Sequence, residues 1–358
     1  MNPRIAFMGG GAIGSYLGAY LTRAGYAPTI IDPWPENVEA MRGRGITVSD
    51  SGGEFTVPVD GRHLCEVQGI REPFDIIFIA MKSYDTAWAT TMMKSYLAPN
   101  GCMVSAQNGI NDETIARIAG YERAIGCTIS TITVHLDQPG HVVRGGQSGR
   151  ERGYDIFRVG ELNGVISPRV ERIAAMLDSV DAARTTTNIW GERWAKLAAN
   201  SMGNTLTAMS GMGPVALADA APRFAPLRDQ VAREVIAVGL ALGVNVESVG
   251  GRPATAWIEE DGALALADLP PASEHPPPVD GVGGGWQAST SQDIAKGRRT
   301  EIDYLNGYVS ARGREVDVLT PVNDAIVTVL KEVESGARPP SPANVDRVWD
   351  LSHDAVPA

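Results

Sequence analysis

The stretch RIAFMGGGAIG, Arg4 to Gly14, constrains the fold of this chain more than any other. A short apolar run, Ile5 to Met8, is followed at once by Gly9, Gly10 and Gly11, then by Gly14. Consecutive glycines weaken helix and strand alike, so the backbone here must go where a side chain would obstruct it. Gly9, Gly11 and Gly14 have the G-x-G-x-x-G spacing of a dinucleotide-binding turn. In such a turn one glycine makes the bend, one admits a pyrophosphate, and one lets helix pack on strand. The spacing alone says little in a chain where 40 of 358 residues are glycine, so the context decides. SYLGAYLTRAG places Leu17, Tyr20, Leu21 and Ala24 at helical spacing and stops at Gly25. APTIID then reads as a second strand closing on Asp32, 18 residues past Gly14, where the fingerprint carries an acid for the adenosine ribose. Strand, glycine turn, helix, strand and acid follow in order. Gly9, Gly11, Ala12, Ile13 and Gly14 are therefore expected to bind the pyrophosphate, and Asp32 the ribose.

Beyond Asp32 the βα alternation continues. PENVEAMRGRG reads as a short helix, FDIIFIAMK (Phe74 to Lys82) as a fully buried parallel strand, YDTAWATTMMKSYL as a crossover helix and CMVSAQNG as the next strand. TVHLDQPGHVVRGG and YDIFRVGEL read as extended, hairpin-like additions at the sheet edge. From about Asn188 the pattern becomes helical: NIWGERWAKLAANSMGNTLTAM, LRDQVAREVIAVGLALG, TEIDYLNGYVSARGREV, and a fourth helix with Thr320 as N-cap and Pro321 at its first position. The expected organisation is a dinucleotide-binding Rossmann-type domain over 1–187, a doubly wound parallel sheet, then an all-helical domain over 188–335. The Pro-rich tail, 336–358, is expected to be poorly ordered, and Pro270 to Gly285 to be a mobile Pro/Gly loop.

Composition narrows the function. A net charge of −11 disfavours nucleic-acid and anionic-membrane binding. Cys65, Cys102 and Cys127 lack C-x-x-C spacing, which fits buried thiols in a reducing compartment. No apolar run has membrane-spanning length and the first strand leaves no room for a signal peptide, so a cytoplasmic location is expected. The five histidines show no ligand spacing, and neither a metal set nor a Ser-His-Asp set is visible.

Several polar residues ask for a reason. Lys82 and Asn108 each close a strand at the end where open parallel sheets bind ligands, and otherwise read as a solvated lysine and an Asn-Gly turn. Lys196, Asn200 and Asn204 repeat at i, i+4, i+8 and form one helical stripe, which is either an exposed polar face or a site. Glu301 stands near a helix start, where a carboxylate is favoured on electrostatic grounds alone.

Taken together, GGGAIG, MKSYDT, QNG, ERWAKLAANSMGNTLTA and SQDIAKGRRTEIDYLNGY make the chain resemble the ketopantoate reductase (2-dehydropantoate 2-reductase) family, in order and to about residue 335. The last two motifs are far more specific than the glycines. The resemblance implies a helical domain of the 6-phosphogluconate dehydrogenase C-terminal type and an active site in the cleft between the domains. It implies an oxidoreductase of pantothenate biosynthesis that passes hydride between a nicotinamide cofactor and a small 2-oxo or hydroxy acid. It further implies Lys196 as general acid and Glu301 as the residue that helps hold the site and cofactor. Asn108 then lies between nicotinamide ribose and substrate, Lys82 on the cofactor side, and Asn200, Asn204 and Ser289 along the substrate pocket. Two departures stand out. NADP-using members carry an arginine just after the second strand, where this chain has IIDPWPE, so NAD is expected over NADP. Some members carry a further substrate asparagine where this chain has GMGP, Gly211 to Pro214. Two alternatives stay open: a catabolic NAD-dependent dehydrogenase of another secondary alcohol, and a non-catalytic dinucleotide-binding sensor. A homodimer is left open as well.

Overall fold

The computed structural model describes residues 2–258 and 288–353, which form two compact units, 2–189 and 190–353. The Pro270 to Gly285 loop lies outside the described residues. Twelve strands run in chain order: β1 (Ile5–Met8), β2 (Thr29–Asp32), β3 (Ile46–Asp50), β4 (Gly53–Val57), β5 (Asp60–His63), β6 (Phe74–Ile79), β7 (Leu97–Ser105), β8 (Ala124–Ile129), β9 (Thr133–Gln138), β10 (His141–Gly145), β11 (Phe157–Glu161) and β12 (Ala183–Thr185). The first unit carries the helices α1 (Ala12–Arg23), α2 (Pro35–Arg44), α3 (Thr86–Lys94), α4 (Asp112–Ala119) and α5 (Pro168–Asp178). From the junction onward come α6 (Ile189–Ser210), α7 (Pro214–Ala220), α8 (Phe224–Ala241), α9 (Ala254–Ile258), α10 (Ser289–Ala295), α11 (Asn306–Glu315), α12 (Pro321–Glu334) and α13 (Ala343–His353).

The main sheet has the order β12-β11-β8-β7-β6-β1-β2-β5. Its central strands are parallel, and β11 runs antiparallel to β8. The apolar run Ile5 to Met8 is buried on both faces, as a central parallel strand must be. The chain leaves β1 toward β2 on one side and returns through β6 on the other, which makes the β1/β6 exit the switch point where such sheets hold ligands.

Three expectations change. TVHLDQPGHVVRGG does form a hairpin, but it belongs to a separate four-stranded sheet, β4-β3-β10-β9, which covers α1 instead of extending the main sheet. YDIFRVGEL supplies β11, a buried strand inside the main sheet. TEIDYLNGYVSARGREV is not one helix: a 3₁₀ turn over Ile302–Tyr304 ends at Leu305, whose ψ of −102° breaks the path before α11. The tail also orders beyond expectation, because α13 packs on α12 through the Arg347–Glu332 pair (2.7 Å) and the Asn344 amide caps the Met209 carbonyl (2.9 Å).

Candidate active site

In the first unit the three fingerprint glycines are required for three different reasons. Gly9 has φ +111°, and a Cβ there would meet the Ala80 backbone at 2.8 Å. A Cβ on Gly14 would stand 1.9 Å from the Gly9 carbonyl oxygen, so this glycine brings α1 down onto the turn. A Cβ on Gly11 would meet nothing within 4 Å. Gly11 is the N-cap of α1 with no side chain capping it, so the first turn of the helix offers its N–H groups to a ligand. Open space at Gly11 over an uncapped helix start fits a pyrophosphate. Ala12 and Ile13, half-buried, complete that turn.

Polar side chains around the turn point at its backbone. Gly10 N–H donates to Asp32 Oδ2 at 2.6 Å, and the Gly10 carbonyl accepts from Ser15 Oγ at 2.6 Å and Asn37 Nδ2 at 2.8 Å. Asn37, fully buried, accepts in turn from Gly140 N–H at 2.9 Å, tying the turn to the β9–β10 hairpin. Asp32 also accepts from Trp34 N–H at 2.9 Å, so each of its carboxylate oxygens already holds one backbone donor. Ser15 and Asn37 are absent from the sequence reading; neither lies in a motif, and both act on one peptide 5 and 27 residues away.

Lys82 and Asn108 lie past the ends of the adjacent strands β6 and β7, at the same end of the sheet as the glycine turn and Asp32. Their neighbours are laced together. Gln107 Nε2 donates to the Met81 carbonyl (2.9 Å) and Thr86 Oγ1 (2.8 Å), while Asn111 Nδ2 donates to Ser83 Oγ (3.0 Å) and the Asn108 carbonyl (2.7 Å). Each buried amide thus fixes two loops at once, which holds Lys82 and Asn108 on rigid backbone. The first unit therefore brings together Gly9 to Gly14, Asp32, Lys82 and Asn108.

In the second unit Lys196, Asn200 and Asn204 are half-buried along one line of α6, while Trp194, Leu197, Ala198, Ser201, Thr205 and Leu206 are buried. The stripe lies on the accessible face of a largely buried helix, beside exposed Ala199 and half-buried Gly203. Ser289 opens α10, half-buried, and Glu301, 4 % exposed, is the N-cap of the 3₁₀ turn. Behind α6 runs a buried polar chain that the sequence reading missed. Glu234 accepts from Val322 N–H (3.0 Å), Asn323 N–H (3.0 Å) and Asn323 Nδ2 (2.7 Å). Asn323 Oδ1 accepts from Asn306 Nδ2 (2.9 Å), which also reaches the Ser201 carbonyl (3.4 Å). Glu234 thereby does the capping expected of Thr320, whose side chain makes no cap bond. Burial pushes the Glu234 carboxyl up to about 7, against the pull of its three donors. The signal was present in part: Glu234 lies at helical spacing among Val231, Val235 and Val238, an apolar face where a carboxyl needs partners.

Away from these surfaces, Ser49, His141 and Asp137 form a row that sequence spacing could not show. Ser49 Oγ lies 2.8 Å from His141 Nε2, and Asp137 3.5 Å from His141 Nδ1. The Ser49 hydroxyl donates to Glu54 Oε2 at 2.7 Å, so the row is a cross-strand ladder over β4, β3, β10 and β9. Of the thiols, Cys102 and Cys127 are buried as expected, whereas Cys65 is exposed.

The chain matches the family model described as Ketopantoate reductase PanE/ApbA over residues 5–154, and Ketopantoate reductase PanE/ApbA C terminal over residues 188–334. It belongs to the ketopantoate reductase family. Among its relatives is the 2-dehydropantoate 2-reductase of Archaeoglobus fulgidus, 29% identical, with 93% of this chain and 98% of that protein aligned. The crystal structure of 2-dehydropantoate 2-reductase from Geobacter metallireducens GS-15 is similar at TM-score 0.73 and 26% identity, over 92% of this chain and 99% of that one. The ternary structure of D-mandelate dehydrogenase with NADH and anilino(oxo)acetate shares the fold at TM-score 0.75 and 21% identity, over 93% of this chain and 99% of that one. The sheet unit and the helical unit are those of the ketopantoate reductase fold. Among the described residues, no helix is long and apolar enough to cross a membrane.

Proposed function

We propose that this chain is a ketopantoate reductase-type oxidoreductase acting on a small 2-oxo acid, with Lys196 as general acid. The observation that carries the reading is the α6 stripe, a lysine and two asparagines half-buried on the accessible face of a largely buried helix, inside a segment matched by the family model. Gly9, Gly11, Ala12, Ile13 and Gly14 would hold the pyrophosphate of a nicotinamide cofactor, with Asp32, Lys82, Asn108 and Glu301 serving its remaining parts. When bound, that cofactor supplies or accepts the hydride. The protein's own task is the oxygen. As the carbonyl of a 2-oxo acid becomes a hydroxyl, negative charge gathers on its oxygen, and the Lys196 ammonium stabilises that charge and donates the proton. Asn108, Asn200, Asn204 and Ser289 orient the carboxylate and hydroxyl of the substrate with neutral donors and acceptors, adding no competing charge.

For the cofactor we propose NAD over NADP. Asp32 keeps a carboxylate at the end of β2, where a 2′-phosphate would sit. The first basic residue after Asp32, Arg42, is bound to the Gly61 carbonyl (2.9 Å) and to Glu66. It also lies seven residues into α2 from Pro35, about 10 Å along the helix. In the cell the expected place is pantothenate biosynthesis in the cytoplasm.

Steady-state reduction of ketopantoate and a panel of 2-oxo acids, with NADH and NADPH, tests the reading. Turnover of ketopantoate or a close 2-oxo acid supports it. No turnover of any 2-oxo acid, alongside oxidation of an unrelated secondary alcohol, overturns it in favour of a catabolic dehydrogenase.

A further inference from the structure

The segment that carries Glu301 is laid antiparallel along α12 and pinned at three points. Asn306 meets Asn323 (2.9 Å), Asp303 meets Lys331 (2.5 Å), and Thr300 meets Glu334. The third pin is the tightest in form. One carboxylate oxygen, Glu334 Oε2, accepts both from Thr300 N–H at 2.8 Å and from Thr300 Oγ1 at 2.5 Å. Two bonds from one residue to one oxygen fix the Thr300 backbone and its side-chain rotamer together. Thr300 is 1 % exposed, its hydroxyl oxygen lies 3.4 Å from Ile302 N–H, and the residue between is Glu301.

Helix energetics do not account for Glu334. It is the last residue of α12, where the helix dipole opposes a negative side chain and favours a cation such as Lys331 one turn earlier. The Lys331–Asp303 pair is itself about half exposed on the lysine side, so it is screened by water and constrains Asp303 only weakly. Glu334 therefore stands where the helix alone disfavours it, and its described hydrogen bonds both go to the residue preceding Glu301.

We propose that Glu334 is a positioning residue for Glu301: it locks Thr300 so that the Glu301 carboxylate leaves the 3₁₀ turn in one direction. This rests on the role given to Glu301 above. A displacement on the scale of an ångström in a site group is enough to cost up to about a hundredfold in rate. Glu334→Ala is expected to lower kcat by about tenfold to a hundredfold with ketopantoate, leaving KM for the acid within about threefold. Glu334→Gln keeps a carbonyl oxygen for both Thr300 donors and restores most of the rate. Thr300→Val, nearly isosteric and retaining the N–H, gives a partial loss and covers the case in which Glu334→Ala fails to fold.

The deciding measurement is the cycle with Glu301→Gln. If Glu334 acts through Glu301, adding Glu334→Ala or Thr300→Val to Glu301→Gln changes kcat by less than about twofold. Equal losses in both backgrounds, with Glu301→Gln itself impaired, overturn the positioning role alone. A Glu301→Gln enzyme with wild-type turnover overturns the role of Glu301 and the positioning role with it.

Discussion

The ligand surface proposed for the first unit is main chain: a bend at Gly9, an open approach at Gly11 and a helix start without a cap. The nearby side chains Asp32, Asn37 and Ser15 bond to the backbone of Gly10 and hold the turn. In the second unit the arrangement is inverted. There the proposed surface is side chain, Lys196, Asn200 and Asn204, and the polar groups Glu234, Asn323, Asn306 and Glu334 support backbone from behind. A pyrophosphate common to many cofactors is met by N–H groups that every residue has. A particular substrate is met by residue types that only some positions have. The first surface should fail when a side chain is added, and the second when one is removed.

The sharpest break on the second surface is Lys196→Ala. A general acid contributes about 10²–10⁴ in rate, so kcat should fall by that factor while NADH, followed by its fluorescence, still binds. A loss of only a few-fold would remove Lys196 from the chemistry.

On the first surface, Gly14→Ala and Gly11→Ala separate folding from binding. The Gly14 Cβ would stand 1.9 Å from the Gly9 carbonyl oxygen, a backbone atom that cannot move aside, and cost about 4 kcal/mol of stability, at the upper end for a substitution. Gly11 has open space and an ordinary φ of −67°, so Gly11→Ala should leave Tm within about a degree. It should nonetheless raise the KM for NADH about tenfold, because the methyl group occupies the approach of the pyrophosphate. Equal Tm losses for the two variants would mean that Gly11 serves packing.

This contrast also explains what the sequence discloses. Glycine is the one residue whose absence of a side chain is written in the sequence, so the β1–turn–α1–β2 unit and its three glycines were readable from residues 4 to 32. The α6 stripe was not decisive by itself, because i, i+4, i+8 describes an exposed face as well as a site. The apolar residues around the stripe favour a site, and the resemblance of the surrounding motif supplies the role proposed for Lys196. The small sheet was missed because β3 pairs with β10, Thr47 beside His141, far beyond any local signal. The ordered tail was missed for a related reason: Pro339, Pro340 and Pro342 read as a disordered stretch, while the bonds that anchor α13 come from Glu332 and Met209.

The supporting network of the second unit carries its own pH signature. Glu234 is raised from 4.5 to about 7 by burial, so the folded state binds its proton more tightly than the unfolded state does. Its contribution to stability is therefore fully present below pH 4.5 and is lost as the pH rises through about 7. The span corresponds to about 3 kcal/mol at most. Glu234→Gln should flatten the urea-unfolding free energy between those pH values relative to wild type. An unchanged slope would place the titration elsewhere.

The smallest expected effect concerns the one side chain that serves both roles in the first unit. Asp32 supports Gly10 and Trp34 from within, and under the proposed cofactor reading its charge faces the position of a 2′-phosphate. At surface-like dielectric that proximity costs on the order of a kilocalorie or more, and no arginine follows β2 to offset it. Wild type should therefore favour NADH over NADPH by about one to two orders of magnitude in kcat/KM, at about 1.4 kcal/mol per tenfold. Replacing Asp32 with alanine would confound the measurement, because the Gly10 N–H would lose its acceptor along with the charge. Asp32→Asn removes the charge and keeps one carbonyl oxygen, which can still accept from Gly10. If charge sets the preference, Asp32→Asn narrows the NADH-to-NADPH ratio about tenfold, with a Tm loss that reflects the one bond it gives up, to Trp34 N–H. If Asp32 serves only the turn, the ratio stays put, and the preference must be sought on Lys82 or Asn108.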